Sequence, residues 1–275
     1  MKKLFLFLLV SLLFICFGCK KQNQTAPVIT SGDTVTAEKS VVTASHYLGS
    51  SNEYKTPYFI FQGVIDTPKI IIDGGIHGDE VAGYMACDTL VRYLKVTKGT
   101  VIVIPRLNKP ACLALKRGLK NDFNRSFPGT PNSSEYEFRL AFEFMRFIDS
   151  IRPVAVINHH EARNKYDPEE YKKNPDKAFG QVLITCLTPS EDMLITALNN
   201  LNDLIQNPVY KFTIQYYPIQ PNHSLDNIVS KLHVKSYTVE TYRGFLLPDR
   251  IKMHIQSDES FFKTIGIEYS LQSLN

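Results

Sequence analysis

Short apolar runs separated by polar, glycine-bearing breaks organise this chain. Three adjacent isoleucines, Ile70, Ile71 and Ile72, suit a strand buried on both faces. Thr34 to Leu48 and Pro57 to Gln62 read as strands on either side of a Gly49-Ser50-Ser51-Asn52 turn. Further strands are expected at Thr100 to Ile104, Val154 to Asn158, Val182 to Leu187, Phe212 to Tyr217 and Ser236 to Glu240. Helices are expected at Glu80 to Leu94, Ser133 to Asp149, Glu191 to Leu204, Leu225 to Leu232 and Ser257 to Leu271. The Ser133 helix has a capping-box start, Ser134 followed by Glu137, and an apolar face through Phe138, Ala141, Phe142, Met145 and Ile148. Strands alternating with helices argue for an α/β fold: a mixed, largely parallel sheet with helices on both faces, a three-layer α/β/α arrangement.

The amino terminus follows a different pattern. Lys2 and Lys3 precede an apolar run from Leu4 to Phe17 that closes on Gly18-Cys19. Residues 1–18 therefore read as an export signal, the run being short for a membrane span of ~20 residues. A small residue directly before cysteine resembles the bacterial lipoprotein processing site, which implies cleavage before Cys19 and acylation of that thiol. Residues 19–33 are polar and read as a tether, leaving 34–275 as one catalytic-sized domain. The expected location is the bacterial cell envelope, outside the cytoplasmic membrane, with the lipid as the only membrane contact.

Charge and thiols narrow the classes. Loss of residues 1–18 removes two lysines and no acids, so the net charge falls from +4 to +2. Lys and Arg are scattered, which argues against a nucleic-acid partner. Besides Cys19 the mature chain keeps Cys87, Cys112 and Cys186, an odd set without close spacing, so neither a disulfide framework nor a cysteine-rich metal site is expected. Cys87 and Cys186 read as buried structural thiols.

The candidate chemistry begins where the isoleucine strand ends, in Asp73-Gly74-Gly75-Ile76-His77-Gly78-Asp79-Glu80. The glycines permit a tight turn and close approach to a ligand. His77 and Glu80, three apart on a starting helical turn, converge on one metal ion, and imidazole with carboxylate suits zinc. Spacing alone is weak, since about 0.7 such pairs arise by chance at this composition. The other one here, His223 and Asp226, lacks the strand and glycine turn, and Ser224 and Asp226 look like helix-start residues.

Two more apolar strands break into polar residues at their ends. One runs Val154-Ala155-Val156-Ile157-Asn158-His159-His160-Glu161, and because neighbouring strand residues face opposite ways only one of His159 and His160 meets a shared metal. The other ends in Glu240, where a carboxylate is solvated, paired with Arg243, or working as general base and then general acid on water. Between them lies a polar loop from Arg117 to Gly129, in which Asn124 and Arg125 suit a substrate carboxylate and Arg117 an oxygen gaining charge. The charged stretch from Arg163 to Lys177 reads as a solvated loop, with shaping of the pocket as the alternative.

In order, Gly-Gly-Ile-His-Gly-Asp-Glu, Asn108-Lys109-Pro110-Ala111, Arg117, Asp-Phe-Asn-Arg-Ser-Phe-Pro-Gly, Asn158-His159-His160 and Glu240 resemble the zinc carboxypeptidase superfamily, closest to its succinylglutamate desuccinylase/aspartoacylase branch. The resemblance spans about residues 70 to 245. It implies one Zn²⁺ per chain held by His77, Glu80 and His160, a substrate carboxylate held by Asn124 and Arg125, Arg117 supporting the oxyanion, and Glu240 working on water. Two departures stand out. Asn158 replaces the Asp usual two residues before the third ligand, and Phe123 replaces the usual Leu; a register slip of one would make His159 the ligand.

Three protein ligands leave a zinc position open, as in catalytic sites, so the expectation is a hydrolase cleaving an amide or peptide bond near a free carboxylate. A small peptide is the expected substrate given export. An N-acyl amino acid, cleaved by a deacylase, is the alternative. A metal- or peptide-binding lipoprotein without catalysis is the reading from another class, with Asn158 its only foothold.

Overall fold

The isoleucine strand lies in the middle of a nine-stranded sheet. The structure is a computed structural model that describes residues 42–173, 179–187, 191–217 and 223–272, all within one compact unit, Lys39–Asn275. The export signal, Cys19, the tether and the first part of the strand expected from Thr34 lie outside the described residues. The strands are β1 (Val42–Leu48), β2 (Thr56–Gln62), β3 (Ile65–Asp73), β4 (Leu94–Ile104), β5 (Ala155–Ala162), β6 (Val182–Thr185), β7 (Thr213–Tyr216), β8 (Lys235–Tyr242) and β9 (Glu268–Leu271). The helices are α1 (Val81–Tyr93), α2 (Lys109–Ala114), α3 (Tyr136–Ile151), α4 (Pro168–Lys173), α5 (Asp192–Leu204), α6 (Leu225–Ser230) and α7 (Leu247–Ile265).

The sheet runs β1-β2-β4-β3-β5-β8-β6-β7, with β9 paired to β4. Its centre, β4-β3-β5-β8, is parallel, while β1, β2, β9 and the β6–β8 pairing are antiparallel. The mixed, mostly parallel sheet expected from the sequence is therefore the fold.

Period two sorts the central strands into two cores. Ile70, Ile72, Val101, Val103, Ala155 and Ile157 pack with Cys87 and Leu90 of α1, Leu194 and Leu201 of α5, and Met253, Phe261 and Phe262 of α7. Ile71, Ile102, Ile104 and Val156 pack with Leu140, Phe144 and Ile148 of α3 and Leu225 and Val229 of α6. Each isoleucine of the central run is wholly buried, contributing roughly 1.5–3 kcal/mol by removal from water.

Several expectations need correction. β4 begins at Leu94, directly after α1, because the main chain turns into the sheet there to pair with β9. β5 continues to Ala162, so His159, His160 and Glu161 are strand residues. The helix placed at Ser257 to Leu271 is α7, which starts at Leu247 with Pro248 in its first turn and stops at Gly266, whose φ of +78° ends the helix and frees Glu268–Leu271 to pair with β4. α3 has no capping box: its N-cap is Glu135, with no side-chain cap bond. Its buried face runs through Leu140, Ala141, Phe144, Met145 and Ile148, leaving Phe138 and Phe142 partly buried. Cys186 lies past the end of β6 and is only partly buried.

Candidate active site

Three neighbouring parallel strands deliver the candidate residues to one edge of the sheet. β3 ends at Asp73, and the chain turns through Gly74 and Gly75, the latter at φ +72°. Leu107 N donates to Gly74 O at 2.8 Å and Asn108 N to Gly75 O at 3.0 Å, pinning the turn to the segment before α2. A Cβ on Gly78 would lie 2.1 Å from the Ala111 backbone, so only glycine lets the turn settle against α2. Glu80 then sits at the N-cap of α1.

His77, Glu80 and His160, all buried, bring ligand atoms within 4.8 Å of one another. His77 Nδ1 lies 2.8 Å from Glu80 Oε1, His160 Nδ1 lies 2.7 Å from Glu80 Oε2, and the two Nδ1 atoms face each other at 3.2 Å. Burial opposes the Glu80 charge, but His77 and His160 hold its carboxyl well below the usual range. Two imidazole nitrogens turned on one another beside a carboxylate, away from water, are a donor set suited to a shared cation. His160 Nε2 is buried without a partner among the described residues. Two nitrogens and a carboxylate match zinc's preferences, so the residues present fit that ion.

His159, next along β5, faces the other side of the sheet, with Nε2 2.9 Å from Asp258 Oδ1. It does not join the cluster. Asn158 shares the face of His160 but engages α6 and β8: its Nδ2 donates to Asp226 Oδ1 at 2.7 Å and to Tyr237 O at 3.1 Å, and its Oδ1 accepts from Thr238 at 2.7 Å. Asp226 is thus part of the α6–β8 packing, with Ser224 as N-cap of α6 as its sequence suggests, while His223 Nδ1 bonds Phe127 O at 2.8 Å.

Glu240 is the in-register partner of His160 across the β5–β8 pair. Its Oε2 is out of contact with solvent and has no hydrogen-bond partner among the described residues. Burial, reinforced by the charge of Glu80, pushes its carboxyl well above the usual range. Arg243 pairs with Asp79 instead, both terminal nitrogens lying 3.1 Å from Oδ2.

The polar loop closes over this cluster. Arg117 Nη1 lies 3.3 Å from His77 Nδ1 and 3.6 Å from Glu80 Oε1. Asn124 Oδ1 accepts from Leu225 N at 2.9 Å, the first residue of α6, leaving its Nδ2 without a protein partner among the described residues. Arg125 is exposed, and among the described residues its guanidinium bonds the carbonyl of its neighbour, Asn124 O, at 2.8 Å. Arg117, Asn124, Arg125, His77, Glu80, His160 and Glu240 all border one cavity of about 610 Å³. Arg163 and Asn164 border it too, so the charged stretch begins as cavity wall, the alternative to a solvated loop.

Two residues of consequence had no place in the site as read from the sequence. Asp122 ties the loop to the cluster: Oδ1 is 3.0 Å from His77 Nε2, and Oδ2 accepts from Arg117 Nε and Nη2 at 3.1 and 3.0 Å. Its signal was an acid inside the Arg-Asn loop. Glu137, expected in a capping box, instead accepts from Lys120 N at 3.1 Å and Asn121 N at 3.2 Å and so anchors the loop to α3.

Residues 66–161 match the profile of the succinylglutamate desuccinylase/aspartoacylase catalytic domain. The resemblance to the zinc carboxypeptidase superfamily holds. The matched stretch carries His77, Glu80, Arg117, Asn124, Arg125 and His160; Glu240 lies beyond it. The chain is also 37% identical over 101 residues to N-alpha-acetyl-L-2,4-diaminobutyric acid deacetylase of Halomonas elongata, a stretch covering 35% of this chain and 29% of that protein. In fold it is similar to the product-bound cell shape determinant protein of Helicobacter pylori, with TM-score 0.71 and 20% identity over 79% of this chain and 56% of that one. It is likewise similar to an aspartoacylase family protein of Mesorhizobium loti, with TM-score 0.61 and 16% identity over 89% of this chain and 71% of that one. The chain thus spans under a third of the deacetylase and a little over half of the cell shape determinant protein.

Proposed function

We propose that this chain is a zinc-dependent hydrolase cleaving an amide or peptide bond beside a free carboxylate, in the manner of a metallocarboxypeptidase. One observation carries the reading: His77, Glu80 and His160 turn on one another at a cavity whose wall also holds Glu240, its buried Oε2 without a hydrogen-bond partner among the described residues. A zinc ion held there would supply a Lewis acid that polarises the scissile carbonyl and lowers the pKa of water. Glu240 takes the proton of the attacking water and returns it to the leaving nitrogen. Arg117, beside the cluster, donates to the carbonyl oxygen as it gains charge. Arg125 and Nδ2 of Asn124, both at the cavity wall, hold the substrate carboxylate.

A second reading, an N-acyl amino acid deacylase, is favoured by the deacetylase likeness over 101 residues. The Helicobacter pylori cell shape determinant protein, a D,L-carboxypeptidase, favours the first. Both use the same residues, and they differ in which side of the scissile bond the cavity accepts.

The test combines metal analysis with hydrolysis. Wild type is expected to hold about one zinc per chain, lost in His77→Ala and His160→Ala and kept in His159→Ala. It should release amines from N-acyl amino acids or short peptides with free carboxyl ends but not from their amidated counterparts. Glu240→Gln should lower kcat by about 10²–10⁴-fold with KM little changed. Absence of zinc from wild type after loading would sink the reading.

We further propose export and lipid attachment at Cys19. The support is the sequence alone: Lys2 and Lys3, the apolar run to Phe17, and Gly18-Cys19. Cys19→Ser should move the protein out of the detergent-extracted membrane fraction, and its staying there would count against the anchor.

A further inference from the structure

Behind the candidate site, on the opposite face of the sheet, α7 carries a polar stripe at every fourth position: Arg250, His254 and Asp258. Residues four apart share one face of a helix, and this face is turned inward, with His254 and Asp258 wholly buried. Each member of the stripe reaches a strand residue adjacent to a site residue. Arg250 pairs with Glu161. His254 Nε2 lies 3.1 Å from Thr241 Oγ1, and Asp258 Oδ1 lies 2.9 Å from His159 Nε2. His159 and Glu161 flank His160, and Thr241 follows Glu240.

The contacts extend to Glu80. Glu161 Oε2 accepts from Ala82 N at 2.9 Å, in the first turn of α1, and Glu161 N donates to Glu80 Oε2 at 3.1 Å. His159 Nδ1 lies 3.3 Å from Gly83 O. The rings of His159 and His254 lie 4.5 Å apart, tilted by 32°, which joins the contacts of His254 and Asp258 into one cluster.

This cluster is expensive. Asp258 Oδ2 and His254 Nδ1 are buried with no partner among the described residues, and the His159–Asp258 pair has no exposed surface. Apolar side chains, packed with Met253, Phe261 and Phe262 of the same helix, would avoid that desolvation. A polar arrangement kept at such a position fixes geometry rather than adding stability.

We propose that Arg250, His254 and Asp258 are positioning residues: α7 braces β5, β8 and the start of α1 from behind, and so sets the separation of His160, Glu80 and Glu240. None of the three touches the cavity or a substrate. A ligand set tolerates displacements of only about 0.5 Å, so loosening the brace degrades metal binding before it unfolds the chain. The proposal rests on the metal reading of His77, Glu80 and His160.

The test measures zinc affinity of the full chain by competition with a chromogenic chelator, alongside a denaturant unfolding curve. Asp258→Leu and His254→Leu should weaken zinc binding by about 10- to 100-fold, the range for losing support of a ligand. Asp258→Asn, which keeps an acceptor for His159, should restore most of it. Phe262→Leu, on the apolar side of the same helix, should lower stability and leave zinc affinity unchanged. If the leucine variants do not fold, Arg250→Gln at the partly exposed end of the stripe carries the test, with weakened zinc binding expected at native circular dichroism. Zinc binding equal to wild type in the folded stripe variants would overturn the proposal, as would an equal loss in Phe262→Leu. A wild type that binds no zinc would overturn the metal reading and the brace with it, a result distinguishable because no variant would then differ.

Discussion

Asp122→Ala separates the His77–Glu80–His160 cluster from the loop above it. The carboxylate accepts from four nitrogens: His77 Nε2 at 3.0 Å, Asn124 N at 3.0 Å, and Arg117 Nε and Nη2 at 3.1 and 3.0 Å. Burial opposes its charge, yet the bond from His77 and the charges of His77 and Arg117 hold the carboxyl well below the usual range. These contacts differ in worth. The Arg117 side chain is 51% exposed, so that ion pair contributes only ~0–1 kcal/mol. His77 is 3% exposed, and the bond at Nε2 fixes the ring so that Nδ1 meets Glu80. Removing such support of a ligating imidazole costs about 10–100-fold in metal affinity, or roughly 1.4–2.7 kcal/mol. The expected result is therefore a 10–100-fold rise in the zinc dissociation constant for Asp122→Ala, with Asp122→Asn near the smaller value because its amide oxygen still accepts from Nε2–H. Chelator competition at fixed pH, with an unfolding curve on the same protein, reads both. Zinc bound as tightly as by wild type, while stability falls, would refute the argument that Asp122 acts through His77.

Three further outcomes follow from contacts outside the cluster. Glu137→Ala should lose about 2–3 kcal/mol in urea unfolding, since Lys120 N, Asn121 N and Asn121 Nδ2 lose a charged acceptor; Ser134→Ala, which removes no cap bond, should stay within about 0.5 kcal/mol. Gly78→Ala places a Cβ 2.1 Å from the Ala111 carbonyl, so the turn must lift from α2, with a destabilisation of about 1–3 kcal/mol and weakened zinc binding as the two readouts. Glu191 caps α5 and accepts from Lys235 and Tyr237; burial pushes its carboxyl up, but these bonds prevail and hold it below the usual range. Its contribution is thus fully present above the unfolded-state value of about 4.3 and lost as pH falls through the lower folded one, so unfolding free energy should decline below about pH 4.3 more steeply in wild type than in Glu191→Gln.

What was legible in the sequence was chemistry that interrupts an apolar run. Ile70 to Ile72, Val154 to Ile157 and Tyr237 to Val239 each announce a buried strand, and a polar residue at the end of a buried strand has few reasons to be there. Parallel strands place those ends on one edge, which is why His77, His160 and Glu240 come together although 163 positions separate the first from the last. Alternation along β5 also turns His159 and His160 to opposite faces, which the sequence allowed without choosing between them. The supports were not legible. Glu137 sits where a capping box would use it, and the same carboxylate serves either purpose; only the approach of the Lys120–Asn121 backbone decides.

α7 illustrates the harder case. An amphipathic helix is recognised by apolar residues on its buried face and polar ones outside. Here Arg250, His254 and Asp258 share the buried face with Met253, Phe261 and Phe262, so the pattern fails over the first half of the helix and becomes readable only where the phenylalanines begin. The expected start at Ser257 reflects that failure, ten residues after the true one at Leu247. Polar residues hidden inside a helix are balanced by partners far away in sequence: Asp258 meets His159 across 99 positions and Arg250 meets Glu161 across 89. A break in periodicity of this kind marks a place where the fold sacrifices easy packing for a fixed arrangement, and in this chain it lies directly behind the residues whose spacing has to be held.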